Sequence, residues 1–200
     1  IWLINKFYEN TSISNLSGTL LIHEKVEFDK LTQAINIFIK RNDAMRINFE
    51  LKDGEPCQYV APYSFQEFPI YSLNTKEELS VLEKTFTKVK LDIFNSCLYS
   101  FKLIKLRNGH GGFNVTIHHL ISDAWSMGLI ANQVMDIYSK LLKSENIEEG
   151  NKPSYVEYIE NEQKYLKSSK YENDRKFWEE IFNTSPAYVS FAQKNHLSSS

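Results

Sequence analysis

Hydrophobic and polar residues change their period repeatedly along the chain, and each change marks an element. Phe28, Leu31, Ala34, Ile35, Phe38 and Ile39 recur at the three-and-four spacing of one helix face, with Asp29 placed to help start the helix. Between Gly112 and Ile117 the period drops to two. Phe113, Val115 and Ile117 alternate there with Asn114 and Thr116, which predicts a half-buried strand. Leu129, Ile130, Val134, Ile137, Tyr138, Leu141 and Leu142 then return to helical spacing over residues 123–143, where Ser122 or Asp123 is placed to accept from the first free backbone N–H groups. Residues 16–26 read as a strand. Residues 76–89 read as a helix, with Leu79, Leu82 and Phe86 on one side. Two hairpins are predicted, 45–52 with 56–61 across Asp53-Gly54, and 97–106 with 111–118 across Asn108-Gly109. Helices over 154–166 and 172–182 complete the chain, Pro153 suiting the start of the first and Pro186 the end of the second, after a polar stretch 144–152 that reads as a solvated loop. This order predicts an α/β two-layer sandwich, a mixed β-sheet covered by helices, in which the strand ending at His118 is central.

Composition narrows the possibilities. Two hundred residues with 42% hydrophobic content suffice for the core of one domain or lobe. A net charge of −2 gives no electrostatic reason to expect nucleic acid. Cys57 and Cys97 make neither a disulfide framework nor a metal pair, so a reduced, cytoplasmic setting is expected. No apolar run approaches the ~18 residues of a membrane span, and no signal pattern opens the sequence.

Candidate chemistry concentrates where the predicted strand stops and the next helix starts, at His118-His119-Leu-Ile-Ser-Asp-Ala-Trp125. Adjacent strand residues point in opposite directions, so only one of the two imidazoles faces any given site. A histidine there is suited to general base work, because its ordinary pKa near 6.5 lets it take and return a proton around neutral pH. The competing reading makes both rings structural and Asp123 a helix cap. A metal site is disfavoured, although His119 and Asp123 are four apart: the histidines diverge, no His-Glu-x-x-His pattern exists, and a third ligand would have to come from His23, His110 or His196.

Several stretches together resemble a known family. His118-His119-Leu120-Ile121-Ser122-Asp123-Ala124 matches the pattern His-His-x-x-x-Asp-Gly except at Ala124, and Trp125-Ser126-Met127 is a typical continuation. Arg41-Asn42-Asp43-Ala44-Met45-Arg46-Ile47-Asn48-Phe49 is a weakened form of Arg-His-Glu-x-Leu-Arg-Thr-x-Phe. Tyr155-Val156-Glu157-Tyr158 is similar to a Tyr-x-Asp-Tyr element, Phe177-Trp178 to the aromatic pair that follows it, and Trp2 to the tail of a first motif. The chain thus resembles the condensation domain of nonribosomal peptide synthetases, within the chloramphenicol-acetyltransferase-like superfamily. The resemblance spans nearly the whole chain but about half of the family domain. Residues 1–200 are accordingly expected to be an N-terminal lobe cut at both ends, the C-terminal lobe being absent.

What the resemblance implies is amide bond formation between aminoacyl or peptidyl thioesters on the 4'-phosphopantetheine arms of carrier proteins, as in antibiotic or siderophore biosynthesis, with no bound cofactor. Upstream and downstream peptidyl carrier proteins, an adjacent adenylation domain and the C-terminal lobe are the implied partners. His119 matches the catalytic histidine, acting either as a base or by orienting and stabilising the tetrahedral species. His118 matches the structural one. Asp123 matches an aspartate that pairs with an arginine, for which Arg46 is the candidate. Ala124 is acceptable if its φ is that of an ordinary first helical turn and strained if φ is positive. Trp125 is expected to anchor the core. Epimerisation domains share the His-His-x-x-x-Asp core, but Ser122 and Trp125-Ser126 favour condensation. A stand-alone acyltransferase using coenzyme A or a carrier, and a non-catalytic carrier-docking module, remain open. Alone, residues 1–200 are expected to be inactive, because one lobe cannot enclose two pantetheine arms.

Overall fold

The structure, a computed structural model, describes residues 1–8, 11–94, 96–107, 109–147 and 154–186. In chain order the elements are α1 (Trp2–Phe7), β1 (Asn15–Ile22), α2 (Phe28–Arg41), a 3-10 turn (Asp43–Arg46), β2 (Ile47–Lys52), β3 (Glu55–Val60), β4 (Ile70–Leu73), α3 (Lys76–Phe86), β5 (Tyr99–Leu106), β6 (Gly111–His118), α4 (Ala124–Leu142), α5 (Tyr155–Leu166) and α6 (Ser169–Ile181). Two compact units make up the chain, Ile1–Tyr155 and Val156–Ser200. The first contains both sheets.

Four strands order as β1-β6-β5-β4, and β6 is interior as expected. β6 runs antiparallel to β1 and to β5, whereas β4 lies parallel to β5, which makes the sheet mixed. β4 was not foreseen from the sequence. It has four residues and too few positions to display a period. β2 and β3 form a separate two-stranded sheet, and Asp53 (φ 52°) and Gly54 (φ 84°) both take the positive φ that a tight two-residue hairpin turn requires. In the second hairpin Gly109 has φ 82°, and Asn108 lies outside the described residues.

The core explains why β6 is not the half-buried strand its alternation predicts. All eight of its residues are buried. Phe113, Val115 and Ile117, with Tyr99, Phe101 and Leu103 of β5, pack against Leu31, Ala34, Ile35 and Phe38 of α2 and Ile130, Val134, Ile137 and Tyr138 of α4. The opposite face is covered too. Ile104 packs there with Leu79 and Phe86 of α3, and the Thr116 hydroxyl donates to the Phe86 carbonyl at 3.3 Å. Polar Asn114 and Thr116 are therefore interior residues whose groups must be paired. They are. The Asn114 amide donates to the Gly18 carbonyl (3.0 Å) and the Thr19 hydroxyl (3.1 Å), and Thr116 and Ser17 share a hydroxyl contact of 3.1 Å.

Element boundaries follow their caps. Thr75 accepts from the Glu78 N–H and starts α3. Ser168 accepts from the Tyr171 N–H and starts α6 at 169 rather than at the expected 172. In α2 Asp29 sits in the first turn, and the Glu27 N–H at the N-cap donates to the Tyr138 hydroxyl (2.9 Å), tying α2 to α4. Ser144, at φ 55°, ends α4, and 145–147 continue without regular structure. Pro153 and the rest of the predicted loop, 148–152, lie outside the described residues, and Pro186 follows the end of α6.

Candidate active site at the end of strand β6

β6 delivers His118 and His119 into a short turn that leads to α4. The His118 N–H donates to the Leu98 carbonyl at 2.8 Å, and its own carbonyl accepts from the Ile121 N–H and the Ser122 hydroxyl, both at 3.1 Å. Its ring is buried, 2% exposed, and Nδ1 accepts the Leu120 N–H at 3.1 Å, which places the proton of the neutral ring on Nε2. Burial first, and the neighbouring His119 charge second, push its pKa down to about 4. His118 is thus neutral at physiological pH, with its ring held by the Leu120 N–H.

His119 stands one residue further on, and its N–H donates to the Ser14 carbonyl at 2.8 Å, so the approach to β1 fixes its backbone. Its ring is only partly buried. Of the two imidazoles it is the one open to solvent.

Asp123 is the N-cap of α4 in a reciprocal capping box. The Ser126 N–H (2.8 Å) and hydroxyl (2.7 Å) both donate to its Oδ1, while the Asp123 N–H donates back to Ser126 Oγ at 3.3 Å. Its carboxyl is held below the usual range by the Ser126 hydroxyl first and the Ser126 backbone N–H second, with His119 contributing less. Ser126, foreseen only as part of the motif, is the second half of the cap.

Two expectations fail here. The first is the pair between Asp123 and Arg46: the Arg46 Nη1 donates to the Ala61 carbonyl at 3.0 Å, its Nε is buried without a partner, and no ion pair joins it to Asp123 among the described residues. The physical reason is competition. The carboxylate is taken by the exposed end of α4, and the guanidinium by the end of β3. The second is Trp125 as a core anchor, since it is 78% exposed. Nine residues at 100° each carry the helix from Trp125 to the fully buried Val134, so the indole lies half a turn from the buried stripe.

The question over Ala124 resolves favourably. It is the first residue of α4 and is not among the residues with positive φ, so alanine is accommodated without strain and favours the helix over glycine. Asp43 acquires a role that its place in the weakened motif did not reveal. Its carboxylate accepts from the Ser154 hydroxyl and from the Tyr155 N–H (3.0 and 3.1 Å), capping the start of α5. The signal was its type, a carboxylate where the family motif has glutamate. Another group the sequence did not disclose is Lys102, buried on the α3 side, with Nζ 2.9 Å from Ser100 Oγ and 4.7 Å above the Phe86 ring. Burial lowers its pKa. No cluster of three or more metal-ligating side chains occurs among the described residues. No helix among them is long and apolar enough to cross a membrane.

The sequence profile of the condensation domain matches residues 1–199. Surfactin synthase subunit 1 of Bacillus subtilis (strain 168) is 35% identical over 199 residues, 95% of this chain and 6% of that protein. A plipastatin synthase of the same organism is 30% identical over 202 residues, 98% of this chain and 8% of that protein. Among solved structures, the starter condensation domain of rhizomide synthetase RzmA superposes with a TM-score of 0.82 at 18% identity, covering 92% of this chain and 46% of that one. The first condensation domain of the calcium-dependent antibiotic synthetase, in complex with a substrate analogue, gives 0.78 at 20% identity over 94% and 47%. These structural likenesses establish the fold, a mixed sheet covered by helices, and the chain spans about half the length of the solved condensation domains and a small part of the synthetases. With the His-His-x-x-x-Asp turn at the end of β6 and a family profile matching residues 1–199, the chain belongs to the condensation domain family.

Proposed function

We propose that this chain forms part of a domain that joins two carrier-bound aminoacyl or peptidyl thioesters through an amide bond in nonribosomal peptide synthesis, with His119 as its catalytic residue. The observation that supports this reading is the unequal pair at the end of β6: His118 is buried with Nδ1 engaged, whereas His119, the second histidine of the motif, is only partly buried and has its backbone held by the Ser14 carbonyl. The acceptor's α-amine attacks the donor's thioester carbonyl, the C–S bond breaks, and the amine proton ends on the departing pantetheine thiol. An α-amine with pKa near 7.7–8 is already partly neutral at physiological pH, so His119 serves chiefly by orienting the amine and stabilising the tetrahedral species.

Substrates arrive on the 4'-phosphopantetheine of upstream and downstream carrier proteins, an adenylation domain lies beside the domain, the setting is the cytoplasm, and no resident cofactor is needed. The half of the domain not contained in residues 1–200 closes the site and excludes water. The experiment is to supply loaded donor and acceptor carriers to the chain extended to a whole domain. Dipeptidyl thioester is expected, and His119→Ala is expected to lower its rate by roughly 10²-fold or more. Undiminished product in the variant sinks the assignment of His119. Residues 1–200 alone are expected to give no product.

A further inference from the structure

The main chain at the candidate site is held from two sides: the His118 N–H donates to the Leu98 carbonyl and the His119 N–H to the Ser14 carbonyl, each at 2.8 Å. Such bonds fix the turn only as well as their acceptors are fixed. Leu98 stands just before β5, where the chain bends, so its place depends on how the start of that strand is anchored. The first residue of β5 is Tyr99, which lies opposite Ile117 and is 6% exposed.

Tyr99 is held by a line of hydrogen bonds that the chemistry described above does not use. Asn36 of α2, 2% exposed, grips the main chain of Gln66: its Nδ2 donates to the Gln66 carbonyl and its Oδ1 accepts the Gln66 N–H, both at 2.8 Å. The Tyr63 hydroxyl donates to the same Oδ1 at 3.3 Å. With its main-chain groups occupied, Gln66 extends its side chain to β5, where Nε2 donates to the Tyr99 hydroxyl oxygen at 2.8 Å. Residues 61–69 have no regular structure, yet both ends are tied, Ala61 by the Arg46 guanidinium at 3.0 Å and the Pro69 carbonyl by the Leu103 N–H at 2.9 Å. Burial first, and the Cys97 thiol second, raise the Tyr99 pKa, so the hydroxyl keeps its proton. The result is a brace from α2 through Gln66 to the start of β5.

Stability alone does not call for it. A phenylalanine in place of Tyr99 would keep the edge contact with the Phe101 ring, 5.7 Å between centroids, without a buried hydroxyl to satisfy. What the polar line adds is direction, because each bond fixes a distance and an angle that apolar packing leaves loose.

We infer that Gln66 and Tyr99 are positioning residues for His119: through Leu98 the brace holds the end of β6 where the imidazole meets the reacting groups. This rests on the reading of His119 given above. Tyr99→Phe, Gln66→Leu and the double variant provide the test in the chain extended to a whole domain, with loaded carriers and well below the melting transition. Each single change is expected to lower kcat by about tenfold while KM moves less than about twofold. The double variant is expected to be no slower than either single one, because both remove the same bond. A merely structural bond would lower the melting temperature and leave kcat alone, and an unchanged kcat overturns the inference. Effects that multiply in the double variant overturn it as well, since the two residues would then act separately. Gln66 is only partly buried, so Gln66→Leu carries the test if Tyr99→Phe does not fold. If the parent domain forms no dipeptidyl thioester, the catalytic reading fails, and NMR of isotopically labelled histidine decides this one. The His119 ring signal is expected to shift in both single variants while those of His23 and His110, beyond the far ends of β1 and β6, stay in place. An unmoved His119 signal overturns the positioning role.

Discussion

The two faces of β6 are both closed to water, but by different chemistry. On one side Phe113, Val115 and Ile117 meet α2 and α4 in an apolar core, where position depends on shape and any tight filling serves. On the other, Asn114 and Thr116 are bonded to Thr19 and Ser17, and the His118 Nδ1 accepts the Leu120 N–H. The apolar face supplies the free energy that holds the sheet together. The polar face fixes register, because a slip of one residue would leave buried donors and acceptors unpaired. His119 is placed by both, since it follows the strand they jointly immobilise.

The comparison breaks most completely at Gly112, where the strand needs close approach of its neighbours rather than either face. A Cβ added there would lie 1.9 Å from the Leu20 carbonyl oxygen, a main-chain atom that cannot move without parting β1 from β6. Gly112→Ala is expected to leave the chain largely unfolded, as seen by circular dichroism. On the apolar face, Phe113→Ala should cost about 3–5 kcal/mol in denaturant unfolding. A loss below about 1 kcal/mol would mean that this face collapses around the gap and is not tightly packed.

The polar face is expected to be sensitive to acid instead. The His118 pKa falls from 6.5 in the unfolded chain to about 4 in the fold, so between those values the unfolded chain binds the extra proton. Stability from this residue is complete above pH 6.5 and lost as pH falls to about 4, roughly 3 kcal/mol in all. His118→Asn should flatten the pH dependence of unfolding in that window. If the slope persists in the variant, His118 is not its source. The smallest effect belongs to Asp123, outside both faces. As a solvent-exposed helix cap it should lower the melting temperature by only about 2–4 °C when changed to Ala, and by less when changed to Asn, which can still cap. A collapse in stability would restore the buried pair with Arg46 that the structure does not contain.

The residues differ in how clearly they announced themselves. Helices α2 and α4 were legible because a 3.6-residue period repeats several times within each, and the Asp53-Gly54 hairpin because few other dipeptides accept two positive φ values in succession. The alternation in β6 correctly identified a strand and wrongly predicted one wet face. Pattern reports polarity, and a polar side chain is buried once neighbours satisfy it, which α3 and β1 do here. At the site, His118, His119 and the cap at Asp123 were readable as residue types at a junction. The failures at Arg46 and Trp125 concern direction, which depends on which partner takes a side chain first and on the phase of the helix against the core. Asp43 is the same problem reversed: its type was visible, and its partners at Ser154 and Tyr155 lie 111 and 112 positions away.

The β1–β6 ladder has a consequence for how the site comes into being. Ser17 and Thr116, which face each other across it, are 99 positions apart, and the bond from His119 to Ser14 lies at the end of the same ladder. Closing so large a loop costs chain entropy before any contact repays it, and sheets dominated by such distant pairings fold slowly. While the chain is being synthesised, α2 and the β2–β3 hairpin can form from local contacts alone. His119 acquires its position only when β1 meets β6, so a ribosome-bound nascent chain is expected to hold α2 and the β2–β3 hairpin well before it holds the candidate site.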